Sequence, residues 1–241
     1  MVEAGSTIRV ITWNIHGCIG RDGRYDPLRV GAWVRTMAPD IAAFQEVDAR
    51  GKNPGQSDIC RFLREQVGDH GYEAWSISGR DGRYGQILAS RVPLTDLKVH
   101  DISVARREPR RAIEANAVLP SGRLRIIATH LGLRRRERRN QIERLRNIAA
   151  AETSLPMIIL GDFNEWNAGR GSIALSDATF GVPTRHRTFP AGLPVLALDR
   201  IFCRPGSLLR GSRAFRPANL ASDHLPVVAD IDLDARLAPT A

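Results

Sequence analysis

Pro156-Met-Ile-Ile-Leu-Gly-Asp-Phe-Asn164 is a short apolar run that stops on a carboxylate and an amide. Four large apolar residues in a row, bounded by Pro and Gly, fit a strand buried on both faces. Such a strand needs a layer on either side of it. Asp162 and Asn164 are costly to bury without partners, so the end of this strand is either a turn or part of a site.

The same pattern recurs along the chain. Ile8-Arg-Val-Ile-Thr-Trp-Asn14 ends on an amide, and Ile41-Ala-Ala-Phe-Gln-Glu46 on a carboxylate. An alternating segment near 123–129 runs into His130, and a strand near 226–231 follows Asp223-His224. One such end is what any turn requires. Several together, all carrying Asp, Glu, Asn or His, fit a shared rim where sheet edges meet a ligand.

Between these ends the chain alternates in texture. Gly17 to Asp26 is a glycine-rich polar loop, and Pro27 opens a helix that runs to about Met37 and is closed by Pro39-Asp40. Ser57 or Asp58 can cap a helix that carries Ile59, Phe62, Leu63 and Val67 on one face. Segments near 72–77, 84–90, 94–103, 112–119 and 123–129, separated by Gly, Pro and Arg clusters, read as antiparallel strands. A helix over about 136–150 shows Ile142, Leu145, Ile148 and Ala149 on one face. A short helix near 171–176, a Pro/Gly-rich loop at 181–194, and strands near 196–202, 207–215 and 226–231 complete the reading. Strand-rich halves with helices between them predict an α/β four-layer sandwich, two packed mixed or antiparallel sheets flanked by helices. One domain over residues 1–241 is expected, with no internal repeat.

Composition supports a globular chain. With 241 residues, 43% hydrophobic and 25% charged, it can bury roughly 70–75% of its unfolded surface and needs no disulfide or metal staple. Cys18, Cys60 and Cys203 are odd in number and far apart, which argues against a zinc knuckle or a secreted disulfide framework. No apolar stretch approaches the ~20 residues of a membrane span. Met1-Val-Glu-Ala-Gly-Ser-Thr7 does not read as a secretory signal, so a cytoplasmic monomer is expected. The net charge is +9, and all basic residues but Lys52 and Lys98 are arginines. Arginine is always charged and grips phosphate with a planar fork, so the excess suits a polyanionic substrate or an anionic surface. A compositional bias toward arginine explains the Arg:Lys ratio equally well.

The chemistry of the rim follows from its donors. Asp, Glu and amide oxygens make a site for a hard cation such as Mg²⁺ or Mn²⁺. Histidines beside carboxylates add proton transfer near neutral pH. Together with an arginine-rich surface, these are the groups that hydrolysis of a phosphate ester uses. No Walker-A loop, G-x-S-x-G elbow or H-E-x-x-H helix competes with that reading.

Six motifs in order resemble the endonuclease/exonuclease/phosphatase superfamily: Thr12-Trp-Asn14, Phe44-Gln-Glu46-Val47, Thr129-His-Leu131, Gly161-Asp-Phe-Asn164, Leu198-Asp-Arg-Ile201 and Ser222-Asp-His224. They span about residues 8–230. The resemblance implies a divalent-metal-dependent phosphoesterase with Glu46, Asn14 and Asp223 about the metal. Asp162 then orients and activates water, and Asn164 holds a phosphoryl oxygen. His224 acts at the scissile phosphate with Asp199 orienting its ring, and His130 is the second histidine of the deoxyribonuclease and sphingomyelinase branches. Nucleic acid is the leading substrate. A phospholipid or other small phosphodiester is the alternative, and a non-catalytic anion-binding protein on the same scaffold is the reading from another class.

Two departures matter. The family's Gly-Asn pair is Gly85-Gln86 here, and no glutamate between Trp75 and Tyr84 can be assigned to orient His130. Two arginine clusters are expected to flank the rim and bind further phosphates. One is Arg106, Arg107, Arg110 and Arg111; the other holds seven arginines within 134–146. Cations at a helix N-terminus are disfavoured, so an anion is expected at the start of the second cluster, unless the arginines are simply a solvated face paired with glutamates. His16, His70, His100 and His186 match no motif and are expected at the surface.

Overall fold

A computed structural model describes residues 7–51, 53, 58–166 and 180–234. The strands are β1 (Thr7–Asn14), β2 (Ile41–Asp48), β3 (His70–Gly79), β4 (Gly82–Ser90), β5 (Leu94–Asp101), β6 (Arg111–Leu119), β7 (Gly122–His130), β8 (Met157–Asp162), β9 (Asp199–Arg204), β10 (Leu209–Ala214) and β11 (Val227–Asp232). The helices are α1 (Pro27–Met37), α2 (Ile59–Glu65) and α3 (Arg135–Ala150). The short helix expected near 171–176 lies outside the described residues.

Two mixed sheets form, in the orders β10-β11-β1-β2-β4-β3 and β5-β6-β7-β8-β9. Their inner faces share one core, in which Ile8, Val10, Ile41 and Leu88 meet Ile113, Ile126, Ile158 and Ile201. Each such side chain contributes about 1.5–3 kcal/mol by leaving water. The outer face of the first sheet packs Trp13 and Phe44 against Val30 and Val34 of α1 and Leu63 of α2. That of the second packs Ile127, Ile159 and Phe202 against Ile142, Leu145 and Ala149 of α3. The predicted four layers are therefore present.

Local chemistry explains the helix ends. The Asp26 carboxylate accepts from the Arg29 backbone N–H at 2.9 Å, with Pro27 in the first turn, and α1 closes at Ala38 (φ 47°). Asp58 stands at the start of α2 but makes no side-chain cap there. At the other end of the molecule Arg125 donates to the carbonyls of Ile148 and Ala149 in the last turn of α3 and of Glu152 just past it, and Arg204 donates to those of Ala149 and Glu152. Arg125 Nε also bonds Glu114 Oε1 at 2.8 Å, and His100 Nε2 meets Glu114 Oε2 at 2.6 Å. His100 is thus tied to a buried carboxylate instead of being a free surface ring. Burial pushes the Glu114 carboxyl up, but the bonds to His100 and Arg125 outweigh it and hold it below its ordinary value. Arg125→Met is expected to cost about 3 kcal/mol, because it strands a buried carboxylate. Urea unfolding measures this, and a loss under 1 kcal/mol would show that His100 alone suffices.

Topology brings the polar ends together. β1 and β2 run parallel, as do β7 and β8, so Asn14, Glu46, His130 and Asp162 all lie toward C-terminal ends. β9 and β11 run antiparallel to these neighbours, so their N-terminal ends lie at the same edge. Asp199 thereby pairs with Asp162 in register.

Candidate active site

Each side chain is aimed by a local backbone feature. The β2–β4 register shifts between Phe44 and Val47, and Glu46 takes φ 56°. This bulge turns a carboxylate toward the rim of a strand that is otherwise apolar. Asn164 sits at φ 50° in a tight turn whose N–H bonds Asp162 Oδ1 at 2.8 Å. Non-glycine residues pay for such conformations, and the Asx bond is what holds this one. Gly161 is required just before: at φ +154° a Cβ would lie 1.9 Å from the Thr129 carbonyl oxygen.

The acids gather about one amide. Asn14 Nδ2 donates to Glu46 Oε1 at 2.8 Å and to Asp162 Oδ2 at 3.1 Å, joining the two sheets. Ser222 in turn donates to the Asn14 carbonyl at 2.7 Å, and Trp13 Nε1 to that of His224 at 2.9 Å, which docks the 222–224 turn against β1. Asp162 Oδ2 stands 3.7 Å from His130 Nε2 and 3.8 Å from His224 Nε2. Two imidazoles therefore straddle one buried carboxylate.

The two rings differ in what holds them. Asp199 Oδ2 accepts from His224 Nδ1 at 2.9 Å. Burial opposes charging of His224, but the Asp199 and Asp162 charges and the Asp199 bond outweigh it and raise its pKa to about 10. His130 Nδ1 instead meets Arg110 Nη1 at 3.2 Å, and Arg110 reaches Glu108 at 3.1 Å. Burial, then the Arg110 and His224 charges, hold His130 well below its ordinary pKa. Burial is also the main cause that lifts Asp162 to about 6, with the Asp199 charge adding to it and His224 and the bond from Asn14 working against it.

Among the sequence-derived candidates, Asn14, Glu46, His130, Asp162, Asn164, Asp199 and His224 come together through these contacts. Asp223 is placed differently. Its carboxylate meets the Ser222 hydroxyl at 3.3 Å and His16 Nδ1 at 4.0 Å, on a part-exposed edge, with no described contact to Asn14 or Glu46. Gln86 donates to the Arg111 carbonyl at 2.7 Å, bridging the sheets. Two neighbours carried no signal in the sequence: Tyr84, whose hydroxyl lies beside the Glu46 carboxylate, and Phe189, whose ring lies 4.9 Å from that of His224; Arg110 belongs to a cluster expected at the rim, but its contact with His130 was not foreseen. Trp166 lies 6.4 Å beyond Phe189 and is half exposed.

The arginine clusters divide. Arg110 and Arg138 are buried, and Arg111 pairs with Asp101, while Arg134, Arg135, Arg136 and Arg139 lie exposed. The N-terminus of α3 already has its negative charge: buried Glu137 accepts from the Arg134 N–H at 3.4 Å. Arg138 folds back onto the Gly132 and Leu133 carbonyls. The expected electrostatic conflict is thus relieved within the chain.

Oxygen donors dominate the centre. Glu46, Asp162 and Asp199 face it, and among the described residues no lysine or arginine is bonded to any of them, in a chain whose net charge is +9. Asp162, Asp199 and His224 also bring ligating atoms within 4.8 Å of one another, although a cation there would compete with the Asp199–His224 bond. The donor set fits a divalent metal, and of the three carboxylates only Asp199 is hydrogen-bonded to an imidazole, which leaves Glu46 and Asp162 open to a cation.

Comparison with known proteins places the fold and the chain's family. The Endonuclease/Exonuclease/phosphatase family matches residues 11–224, and the chain belongs to that family. The uncharacterized protein YbhP of Escherichia coli (strain K12) is 28% identical over 248 residues, covering 94% of this chain and 97% of YbhP. An endonuclease/exonuclease/phosphatase from Beutenbergia cavernae DSM 12333 shares the fold with a TM-score of 0.77 at 20% identity, over 94% of this chain and 72% of that one. A mannosyl-6-phosphatase from Bacteroides thetaiotaomicron VPI-5482 does so at 0.72 and 17%, over 92% and 98%. No helix among the described residues is long and apolar enough to cross a membrane.

Proposed function

We propose that this chain is a divalent-metal-dependent phosphodiesterase acting on nucleic acid. The observation that carries the reading is the position of Asp162, a buried carboxylate between His130 and His224 that shares the Asn14 amide with Glu46.

Glu46, with Tyr84 and Asn14 fixing it, would hold the metal, as Mg²⁺ or Mn²⁺; bound there, it supplies Lewis-acid neutralisation of phosphoryl charge. Asp223 would join it only by a rotation of its side chain. Asp162, with its pKa raised to about 6, can take a proton from water near neutral pH. The water oxygen attacks phosphorus, the bond to the leaving oxygen breaks, and His224 Nε2–H gives that oxygen its proton. Asp199 holds the His224 ring in register and stabilises its charge. Asn164 and His130 offer N–H groups to the non-bridging oxygens.

Nucleic acid as substrate draws support from the +9 charge and the exposed arginines at the start of α3. A phospholipid or sugar phosphate is the second reading, favoured by the half-exposed Trp166 and the exposed Leu193 and Val195 and by the mannosyl-6-phosphatase sharing the fold. The test is a panel of plasmid DNA, a chromogenic phosphodiester, phosphatidyl and sphingomyelin lipids, inositol phosphates and mannose 6-phosphate, each with Mg²⁺, Mn²⁺ or EDTA. DNA cleavage that needs either metal is expected. Cleavage of a lipid or sugar phosphate alone selects the second reading, and cleavage of nothing rejects both.

A further inference from the structure

The second sheet sets the order of groups along the rim. In β5-β6-β7-β8-β9, the loop joining β5 to β6 comes first, since β6 begins beside the end of β7, where Ala112 pairs with Thr129. His130 at the end of β7 follows, then Asp162 at the end of β8 with Asn164 just past it, then Asp199 at the start of β9. His224 is bonded to Asp199, so the proposed proton donor lies toward β9. The opposite flank, toward β5, extends beyond His130.

Both arginine clusters converge on that flank. The 102–110 loop is closed by the Ile102 N–H on the Arg110 carbonyl at 3.1 Å and by the Arg110 N–H on Ser103 Oγ at 3.0 Å. Ile102 packs with Ile142 and Leu145 of α3, and Arg144 Nη1 of α3 donates to the Asp101 carbonyl at 3.2 Å. The start of α3 lies close to the centre. The Leu131 carbonyl accepts from Asn164 Nδ2 at 2.9 Å, and Arg134 follows after Gly132 and Leu133, a span of at most about 11 Å. Arg106 and Arg107 of the loop, and Arg134, Arg135, Arg136 and Arg139 at the start of α3, are all exposed. Among the described residues none of the six is paired with a carboxylate, whereas Arg9 is paired with Asp230, Arg50 with Asp48 and Arg91 with Asp40. Acids on the flank are taken: Glu108 by Arg110, Asp101 by Arg111, and Glu137 by the Arg134 N–H. Arg135 and Arg139, at i and i+4, repel each other. Six like charges thus stand together beside the centre, open to an outside anion.

We propose that these six arginines form a rail for the backbone phosphates of a polynucleotide, so that the substrate is a chain several phosphates long and not an isolated phosphodiester. This deepens the nucleic-acid reading and rests on it: the rail holds the chain while the centre acts on one of its bonds. Guanidinium groups fork onto phosphate oxygens, and a nucleic-acid strand carries one phosphate per about 3.4 Å of its axis, so neighbouring arginines meet successive phosphates. A bilayer suits the same charges less well. A helix that docks on lipid turns its apolar face outward, but Ile142, Leu145 and Ala149 of α3 are packed on the sheet, and Leu133 is the large apolar side chain exposed beside the arginines.

The test reads binding apart from turnover. Fluorescence anisotropy of labelled DNA oligonucleotides of increasing length, in EDTA, is expected to show affinity that rises with length. A variant combining Arg135→Gln, Arg136→Gln and Arg139→Gln, all surface changes, should bind the longest of them about 10–100-fold more weakly at low salt. Its plot of log affinity against log salt should be shallower by about 2, since each lost phosphate contact removes about 0.7–0.9 from the slope. Lysine at the same three positions should restore both the affinity and the slope. In kinetics with Mn²⁺, the glutamine variant should lose at least about tenfold more kcat/KM on DNA than on a chromogenic phosphodiester, with the loss on DNA carried by KM. Affinity independent of length, or an unchanged salt slope in the variant, overturns the rail. So does weakened binding to phosphatidylserine vesicles with DNA binding untouched, which assigns the surface to a membrane. Cleavage of the chromogenic diester without length-dependent DNA binding overturns the rail and leaves a phosphodiesterase standing. Length-dependent, arginine-dependent binding without any hydrolysis overturns the phosphodiesterase and leaves the rail.

Discussion

Replacing His224 by alanine is expected to lower kcat for phosphodiester cleavage by about 10²–10⁴-fold, the usual worth of a positioned general acid, with little change in KM. The ring has no ground-state duty beyond its bond to Asp199; its proton matters as the leaving oxygen gains charge. Asp199→Asn tests the electrostatic half of the pair. The Asp199 charge helps lift His224 to about 10 from an ordinary 6.5, so its removal should move the basic limb of the pH–rate profile to lower pH. The sign for stability is the same. A pKa raised by folding means that the native state binds the proton more tightly, so this pair's contribution is fully present below pH 6.5 and is lost as pH rises through about 10. An alanine variant within threefold of wild type would remove His224 from the chemistry.

The second large effect concerns Glu46. Glu46→Gln keeps the shape and the bond from Asn14 but removes the charge, and its activity in Mn²⁺ is expected to fall to that of wild type in EDTA. Metal binding should also register without turnover. A ligand at 100 times its Kd stabilises by about 2.7 kcal/mol, so wild-type Tm should rise on adding Mn²⁺ while that of Glu46→Gln stays flat. Asp162 sets the pH dependence. Its pKa is raised from 3.8 to about 6, so the folded state binds that proton more tightly than the unfolded chain does, and stability falls as pH rises between those values. A cation relieves this cost, and the Mn²⁺-dependent gain should therefore be larger at pH 7 than at pH 5. An equal rise in the variant would place the metal elsewhere, with Asp162, Asp199 and His224 the next candidates.

Much of this centre was legible because a polar residue that interrupts a buried strand is rare and local in sequence. Asn14, Glu46, His130, Asp162 with Asn164, and His224 each announce themselves against or beside a run of apolar neighbours, and the order of the motifs then supplied Asp199. The fold followed from the same runs, since strands apolar on both faces require layers on both sides. What stayed hidden depends on tertiary placement. Arg110 is 20 positions from His130 and carries the charge opposite to that of the glutamate sought, so a search for a carboxylate between Trp75 and Tyr84 could not find it. Tyr84 reads as an ordinary strand residue until the β2 bulge turns Glu46 toward it. At the start of α3 the sequence left open whether an anion or the glutamates offset the arginines, because no helical pattern reveals that Glu137 is buried there. Asp223 matches its motif yet sits beside Ser222 and His16, because a turn fixes the backbone of Ser-Asp-His while leaving that carboxylate free to face the solvent.

Asn14, Glu46 and His224 belong to the sheet of β1, β2 and β11, whereas His130, Asp162, Asn164 and Asp199 belong to that of β7, β8 and β9. The groups proposed for catalysis are therefore split across a seam, and neither half holds both the proposed water-activating acid and the proposed proton donor. Slippage of one slab over the other by an ångström would detune the reaction while leaving every strand intact. Methyl groups such as those of Leu88 and Ile126, buried far from any phosphate, act in this sense as alignment pins. Conversely, a phosphate gripped from both sides would clamp the slabs together, and resistance to shear becomes a property the substrate itself confers.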